Sequence, residues 1–189
     1  MIVVVLIIIN GLLAMSELAV VSARPARLRT MADLGNGGAA TAIELAEDPG
    51  KFLSSVQIGI TLVGILSGAF SGATLGLRLT DWLKSVGMAG SLADIIGVGV
   101  VVVGITYISL ILGELVPKQI ALRDAEGVAA RVAPAMKLIA KIGSPIVWVL
   151  DISGRAVLAL LGQAGDSEET VTEEEVKTII AEATTAGVI

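Results

Sequence analysis

The chain has 189 residues, of which 54% are hydrophobic and 16% are charged, whereas ordinary soluble domains have roughly 25% charged residues. Residues 166–189 carry seven acidic residues and one lysine, so the formal net charge of −5 comes from this segment, and residues 1–165 are nearly neutral. These values exclude a soluble single-domain protein, and no basic surface with interleaved aromatic residues supports nucleic-acid binding.

The sequence contains no cysteine and no histidine. Disulfides, thiolate nucleophiles, iron–sulfur clusters and imidazole ligation are therefore excluded. A serine hydrolase is disfavoured because no Ser–His pair can form, and we expect a protein that is not an enzyme. Any bound metal must be held by oxygen, which favours hard cations such as Mg²⁺, Ca²⁺ or Na⁺.

Three apolar segments are long enough to cross a bilayer as helices, which takes about 20 residues. They cover residues 2–22, about 52–77 and about 94–116. The first segment lacks a basic stretch before its apolar run and has one after it, which favours a retained helix over a cleaved secretory signal. The sequence therefore predicts an all-α membrane protein with three transmembrane helices.

The distribution of Lys and Arg predicts how these helices are oriented. Basic residues are frequent after the first and third segments, whereas the loop after the second has only Arg78 and Lys84. We therefore expect a multi-pass protein of the cell (inner) membrane with its N-terminus outside and its C-terminus in the cytoplasm. Turn sequences at 35–38 and 48–50 leave room for two short cytoplasmic helices between the first two spans.

A fourth apolar stretch, residues 132–161, contains four charged residues as well as Pro134 and Pro145. Charges make a membrane crossing costly. This stretch therefore predicts broken amphipathic helices that lie at the interface. Together with the short helices, they would form a juxtamembrane belt within a transmembrane domain of residues 1–165.

The acidic residues 166–189 form a separate unit in this interpretation. Thr172 and Glu175 have the spacing of a capping box, in which each side chain bonds a free backbone N–H of the first helical turn. An apolar face follows. We expect a linker helix at the start of a soluble cytoplasmic domain that the sequence does not include.

The second transmembrane segment has a glycine at every fourth position, at Gly64, Gly68, Gly72 and Gly76. Such a ridge allows close approach of another helix, so plain helix packing or dimer packing is one interpretation. Hydroxyl side chains flank the ridge, among them Ser67. The other interpretation is a helix that unwinds locally and offers oxygen ligands inside the membrane.

The third segment ends in Gly113, Glu114 and Pro117. Proline has no N–H, so Pro117 would leave the Gly113 carbonyl free beside the Glu114 carboxylate. An acid within a span is a candidate functional site by default. The alternative is an i, i+4 ion pair between Glu114 and Lys118 at the cytoplasmic interface.

The first segment contributes Ser16 and Glu17, which lie at a depth similar to that of Glu114. Polar groups at one depth on three helices indicate a shared site. The alternative is that the Glu17 side chain reaches the interface and that Ser16 bonds the backbone of its own helix.

With these residues identified, the chain resembles the transmembrane domain of the bacterial CorC/CNNM (cyclin M) family of Mg²⁺ transporters. The resemblance rests on Ser-Glu-Leu-Ala at residues 16–19 and on residues 59–70. It rests most specifically on Gly-Glu-Leu-Val-Pro-Lys at residues 113–118. It covers nearly the whole chain, although some relatives have asparagines where this chain has Ile60 and Gly64.

The resemblance implies three transmembrane helices in a homodimer embedded in lipid and a largely dehydrated Mg²⁺ between broken helices. It implies Mg²⁺ transport, with efflux as the favoured direction and Na⁺ as a candidate coupling ion. It also implies a cytoplasmic CBS-pair module after residues 166–189, on which alone ATP would bind. Combined with the patterns above, it gives a set of predicted metal ligands and a set of structural or gating residues. The ligands are Ser16, Glu17, Gly64, Ser67, Gly113 and Glu114, and the gating residues are Gly68, Pro117 and Lys118.

A second hypothesis from a different class is a membrane anchor or scaffold that only presents a cytoplasmic regulatory domain. It predicts that Mg²⁺ does not stabilise the folded chain, whereas a specific ligand of the native state must do so.

Overall fold

The computed structural model describes residues 1–161, which form eight α-helices and two π-helical turns. The helices are α1 (Ile2–Ser22), α2 (Pro25–Asp33), α3 (Gly37–Glu47), α4 (Pro49–Ser71), α5 (Leu77–Ser85), α6 (Gly90–Leu110), α7 (Val116–Arg123) and α8 (Ala125–Leu160). One π-helical turn, Gly72–Gly76, joins α4 to α5, and the other, Ile111–Leu115, joins α6 to α7. The all-α prediction is confirmed. The linker helix and capping box predicted for residues 166–189 lie outside the described residues.

Three helical segments are long and apolar enough to cross a membrane. They are α1, the α4–α5 segment Pro49–Ser85 and the α6–α7 segment Gly90–Arg123. The prediction of three spans is confirmed. The second and third segments have 37 and 34 residues, so at 1.5 Å per residue they are about 50–55 Å long and extend beyond a hydrocarbon core of about 30 Å.

The two short helices predicted between the first two spans are α2 and α3. Pro25 occupies the first turn of α2, where its missing N–H would have no partner in any case. Gly35 adopts a φ of 90° between the helices, and the Asn36 side chain accepts a hydrogen bond from Ala39 N at 3.1 Å to cap α3. Turn chemistry therefore fixes both helix boundaries.

Residues 1–148 form one compact unit, whose buried core lies among α1, α2, α3, the start of α4 and the first half of α8. Leu28 and Phe52 are its largest fully buried apolar side chains. Alanines at every fourth position from Ala121 to Ala133 are also buried, which lets α7 and α8 approach their neighbours closely. This core fixes the end of α1 relative to α7.

The prediction that Pro134 and Pro145 break the fourth stretch was wrong, because α8 is continuous through both prolines. Each proline removes one backbone hydrogen bond. The Lys141 carbonyl that Pro145 leaves without its helical donor accepts a hydrogen bond from Ser144 Oγ at 3.0 Å. Local hydroxyl bonding of this kind compensates for a proline within a helix.

Residues from 149 onward belong to a second unit, of which residues 149–161 are described. Within it, Asp151 and Arg155 form an i, i+4 ion pair, while Leu158 and Leu160 are exposed. Pairing reduces the cost of placing these two charges near apolar surroundings.

Candidate functional site

A cleft of about 200 Å³ opens between the three spans of the first unit. We call it the central cleft. Its lining combines side chains that carry oxygen with glycines and aliphatic residues. They are Asn10, Gly64, Ser67, Gly68, Ser71, Val102, Ile105, Thr106, Ser109, Leu110 and Glu114. A cleft between membrane-spanning helices that includes a carboxylate and hydroxyl side chains is a candidate binding site.

The central cleft contains some of the residues predicted from the sequence. Gly64, Ser67, Gly68 and Glu114 line it, and Gly113 precedes Glu114 in the same π-helical turn. These residues come from two different spans, α4–α5 and α6–α7. Their role as ligands or gating residues stays a prediction.

Ser16 and Glu17 do not line the central cleft. Ser16 is fully buried, and its Oγ donates a hydrogen bond to Leu12 O at 2.6 Å. This is the alternative geometry considered above, in which Ser16 bonds its own helix. Glu17 is half-buried, and in the described conformation neither residue of the first-helix pair shares the central cleft with Glu114.

The prediction of a free carbonyl at Gly113 was wrong. Asn10 Nδ2 in α1 donates a hydrogen bond to Gly113 O at 3.0 Å. Pro117 does not end the third span either, because the backbone passes through the π-helical turn into α7. Proline is tolerated in a first helical turn. Gly113 leaves room for the amide, since a Cβ at this position would lie 3.2 Å from Asn10 Nδ2.

Asn10 is a residue of the central cleft that the sequence reasoning missed. It is the one polar side chain in residues 2–15, and a polar residue in such a run usually bonds across helices. The Asn10 residue is 9% exposed. Its amide therefore links α1 to the π-helical turn that carries Glu114.

Two buried oxygens of the central cleft have no hydrogen-bond partner within residues 1–161, namely Asn10 Oδ1 and Ser67 Oγ. A buried polar atom without a partner costs about 1–3 kcal/mol. Because Asn10 Nδ2 is held by Gly113 O, the orientation of the amide is fixed. The residues that line the cleft thus include two buried neutral oxygens without a partner, of which the Asn10 oxygen is held in place by the bond at Nδ2.

Glu114 supplies the negative charge of the central cleft. Its Oε1 lies 2.8 Å from Lys118 Nζ, and the side chains are 42% and 35% exposed, respectively. The ion pair considered as an alternative is therefore present. Within the described residues, no group of three or more acidic side chains could hold a metal. A cation in the cleft would meet one carboxylate and several neutral oxygens.

The glycine ridge of the second span has two different environments. Apart from the neighbouring backbone of its own helix, a Cβ on Gly64, Gly68 or Gly72 would meet no atom of the described residues within 4 Å. Gly76 packs against Val98, whose Cα would lie 3.4 Å from such a Cβ. Helix packing within the chain therefore explains Gly76 alone, while Gly64 and Gly68 border the central cleft.

Hydroxyl groups support the backbone where α4 meets its π-helical turn. Ser71 Oγ donates to Gly68 O at 3.0 Å, and Thr74 Oγ1 donates to Phe70 O at 2.5 Å. π-helical turns are frequent at functional sites. Both described turns lie in the two spans that face the cleft.

A second depression of about 390 Å³ lies outside the membrane spans and includes Arg27, Asp124 and Glu126. A hydrogen bond from the backbone N–H of Glu126 itself lowers the pKa of its carboxyl, burial opposes this, and the Arg24 N–H and the Arg27 charge lower it further. Arg27 NH1 lies 3.6 Å from Glu126 Oε2. This carboxylate therefore ties α2 to the start of α8, which is a structural role.

The whole chain, residues 1–189, matches the family described as the cyclin M transmembrane N-terminal domain. The chain belongs to the cyclin M transmembrane domain family. This membership confirms the resemblance identified from residues 16–19, 59–70 and 113–118. It also agrees with a membrane domain of three spans.

Relatives of this cyclin M domain occur in several bacteria. It is 46% identical over 185 residues to a UPF0053 protein of Synechocystis, covering 98% of the chain and 41% of that protein. It is 29% identical over 187 residues to the UPF0053 protein YhdP of Bacillus subtilis, covering 98% and 42%. It is 26% identical over 187 residues to the polyamine export protein of Haemophilus influenzae, covering 99% and 43%. The chain thus spans about two fifths of the length of these curated relatives.

Proposed function

We propose that this chain is the membrane domain of a Mg²⁺ transporter and that the ion passes through the central cleft. The observation that carries the proposal is the pair of buried oxygens without partners, Asn10 Oδ1 and Ser67 Oγ, in a cleft that also contains the Glu114 carboxylate. Each of these groups offers an oxygen of the kind that a hard cation binds.

The chemistry of the lining suits Mg²⁺. This ion prefers six oxygens in octahedral geometry at about 2.0–2.1 Å and gives up its waters reluctantly. Besides the three groups named above, the hydroxyls of Thr106 and Ser109 line the cleft. A single carboxylate among neutral oxygens would bind a largely dehydrated ion and still release it.

Alternating access would come from the second span. Gly64 and Gly68 have open space beside them, and the π-helical turn follows directly after Ser71. Local unwinding there would carry Ser67 away from Asn10 and open the site to one side. A matching shift of α1 is needed before Ser16 or Glu17 could reach the ion.

The physiological setting belongs to the same proposal. The chain would lie in the inner membrane with its C-terminus in the cytoplasm, as a homodimer that exports Mg²⁺, with Na⁺ as a candidate coupling ion. A CBS-pair module that binds ATP would follow the acidic residues 166–189. The scaffold hypothesis shares this arrangement but requires no ion in the cleft.

A second candidate cargo is an organic ammonium ion. One relative is named a polyamine export protein, and Glu114 already binds a primary ammonium group, that of Lys118. Polyamines carry several such groups, whereas Glu114 is the one acidic residue among the lining residues of the described cleft. A single carboxylate can pair with only one ammonium group of a polyamine, so this lining favours Mg²⁺ as the cargo.

Thermal unfolding of the purified 189-residue chain in detergent tests these assignments, with Mg²⁺, Na⁺ or spermidine added separately. We expect Mg²⁺ to raise Tm and Ser67→Ala, which removes one ligand, to remove about half of that rise. Ser54→Ala is the matched control, because Ser54 is an exposed serine of the same helix outside the cleft. No stabilisation by any of these ions would favour the scaffold hypothesis, and stabilisation by spermidine alone would favour the ammonium cargo.

A further inference from the structure

The Glu114 carboxylate lies at the central cleft and is also paired with Lys118. Its carboxylate lines the central cleft, and its Oε1 also binds Lys118 Nζ at 2.8 Å. Lys118 is not among the lining residues of the cleft. The ammonium group therefore belongs to a residue outside the cleft lining, whereas cargo would reach the carboxylate from within the cleft.

The backbone beneath Lys118 is held firmly, although the side chain is not. The ring of Pro117 packs on α1, where a Cβ on Gly11 would lie 3.0 Å from Pro117 Cγ. Ala121, one turn further along, is fully buried. The Lys118 side chain is 35% exposed, and its flexible four-carbon stem lets the ammonium group move to water without any movement of α7.

We propose that Lys118 is a tethered counterion that neutralises Glu114 when the cleft holds no cargo and competes with the cargo for the same carboxylate. This inference rests on the proposed function. When a divalent ion binds Glu114, repulsion between the two cations displaces the ammonium group. The competition lowers the affinity for cargo and speeds its release, so Lys118 sets the affinity without being a ligand.

Replacing Lys118 tests the competition. We expect Lys118→Met to bind Mg²⁺ about three- to tenfold more tightly than the wild type, because a partly exposed ion pair and a nearby like charge both disappear. The gain should appear mainly as slower release of Mg²⁺ and should shrink at high salt. Lys118→Arg keeps the positive charge near Glu114, so it should bind Mg²⁺ less tightly than Lys118→Met.

Lys84→Met is the matched control. Lys84 also forms an ion pair, with Asp94 Oδ1 at 2.7 Å, but neither residue lines the central cleft. Its loss should leave the Mg²⁺ dissociation constant unchanged. Equal or weaker Mg²⁺ binding by Lys118→Met, in a variant that unfolds at the wild-type temperature, would refute the competition.

A second measurement uses the wild-type chain and so avoids any folding defect of the variants. The rate at which an acylating reagent labels Lys118, followed by mass spectrometry, should rise on addition of Mg²⁺ relative to the rate at Lys84. A labelling rate that does not change while Mg²⁺ binds would overturn the proposal. A wild-type chain that binds no Mg²⁺ at all would instead remove the proposed function and this inference with it.

Discussion

Replacing Asn10 by Leu separates the structural role of the amide from its role in binding. Leu has nearly the same shape, so the change removes the polar groups without opening a cavity. The Asn10 Nδ2 bond to Gly113 O is lost, at a cost of about 0.6 kcal/mol for an average interhelical bond in a membrane. The Gly113 carbonyl also loses its partner, which adds about 1–3 kcal/mol if it stays buried.

The same substitution also removes an unfavourable contribution to the free energy of folding. Asn10 Oδ1 is buried without a partner within residues 1–161, and eliminating such an atom returns about 1–3 kcal/mol. The losses and the gain nearly cancel. We therefore expect the free energy of unfolding without Mg²⁺ to change by about 1 kcal/mol or less.

Mg²⁺ should distinguish the variant from the wild type. At a free Mg²⁺ concentration 100 times the dissociation constant, the wild type gains about 2.7 kcal/mol, a Tm rise of about 5–10 °C for a chain of this size. Loss of one ligand that weakens binding tenfold leaves about 1.4 kcal/mol of that gain. Thermal unfolding with and without Mg²⁺ measures both quantities.

Thr61→Val is the control for Asn10→Leu, because it removes a polar group at an exposed position of α4 outside the central cleft. Its Mg²⁺-induced Tm rise should match that of the wild type. The reasoning is refuted if Asn10→Leu keeps the full rise. It is also refuted if the variant loses more than about 3 kcal/mol without Mg²⁺, since the amide would then be mainly structural.

Three further predictions concern the fold. Gly97→Ala should lower stability by about 1–3 kcal/mol, measured by thermal unfolding, because its Cβ would lie 2.8 Å from Thr80 Cα and force α5 away from α6; an unchanged Tm would contradict this close packing. Glu126 stabilises the fold while it is ionised, because its folded-state pKa is lowered. This stability should be lost as the pH falls from the unfolded-state pKa through the lower folded-state pKa of Glu126, and the Tm of Glu126→Gln should vary less with pH over that interval. Ser144→Ala should cost about 0.5–1.5 kcal/mol, and this cost should vanish in a Pro145→Ala background, where the helix supplies its own donor; an equal cost in both backgrounds would refute the compensation.

The sequence was sufficient for the spans because each is specified by many residues. About 20 apolar residues in a row predict a crossing whatever the identity of any one of them, and the three spans are present. The turns at Gly35 and Asn36 were predictable for a similar reason, because a positive φ and an N-cap each favour a few residue types.

Details that depend on a single partner could not be predicted. The Gly113 carbonyl was expected to be free because Pro117 lacks an N–H, but its partner, Asn10, lies 103 residues away in sequence. The prolines of α8 were expected to break it, yet one hydroxyl, that of Ser144, replaces a lost donor. Such compensations depend on tertiary packing, which local patterns do not encode.

The residues of the central cleft likewise include some that the sequence could predict and some that depend on tertiary packing. Ser67 and Glu114 were predictable as polar residues in apolar spans. The exclusion of Ser16 was not, because only the rotation of α1 decides that its hydroxyl meets Leu12 O and not the cleft.

The most direct test of a cation site in the central cleft is anomalous diffraction from crystals of the chain grown with Mn²⁺, which shares the oxygen ligands of Mg²⁺. The proposed function predicts one strong anomalous peak within about 2.0–2.3 Å of Asn10 Oδ1, Ser67 Oγ and a Glu114 oxygen, and a weaker peak in crystals of Ser67→Ala. A cleft without a peak, or a peak at the depression beside Asp124 and Glu126 alone, would contradict it.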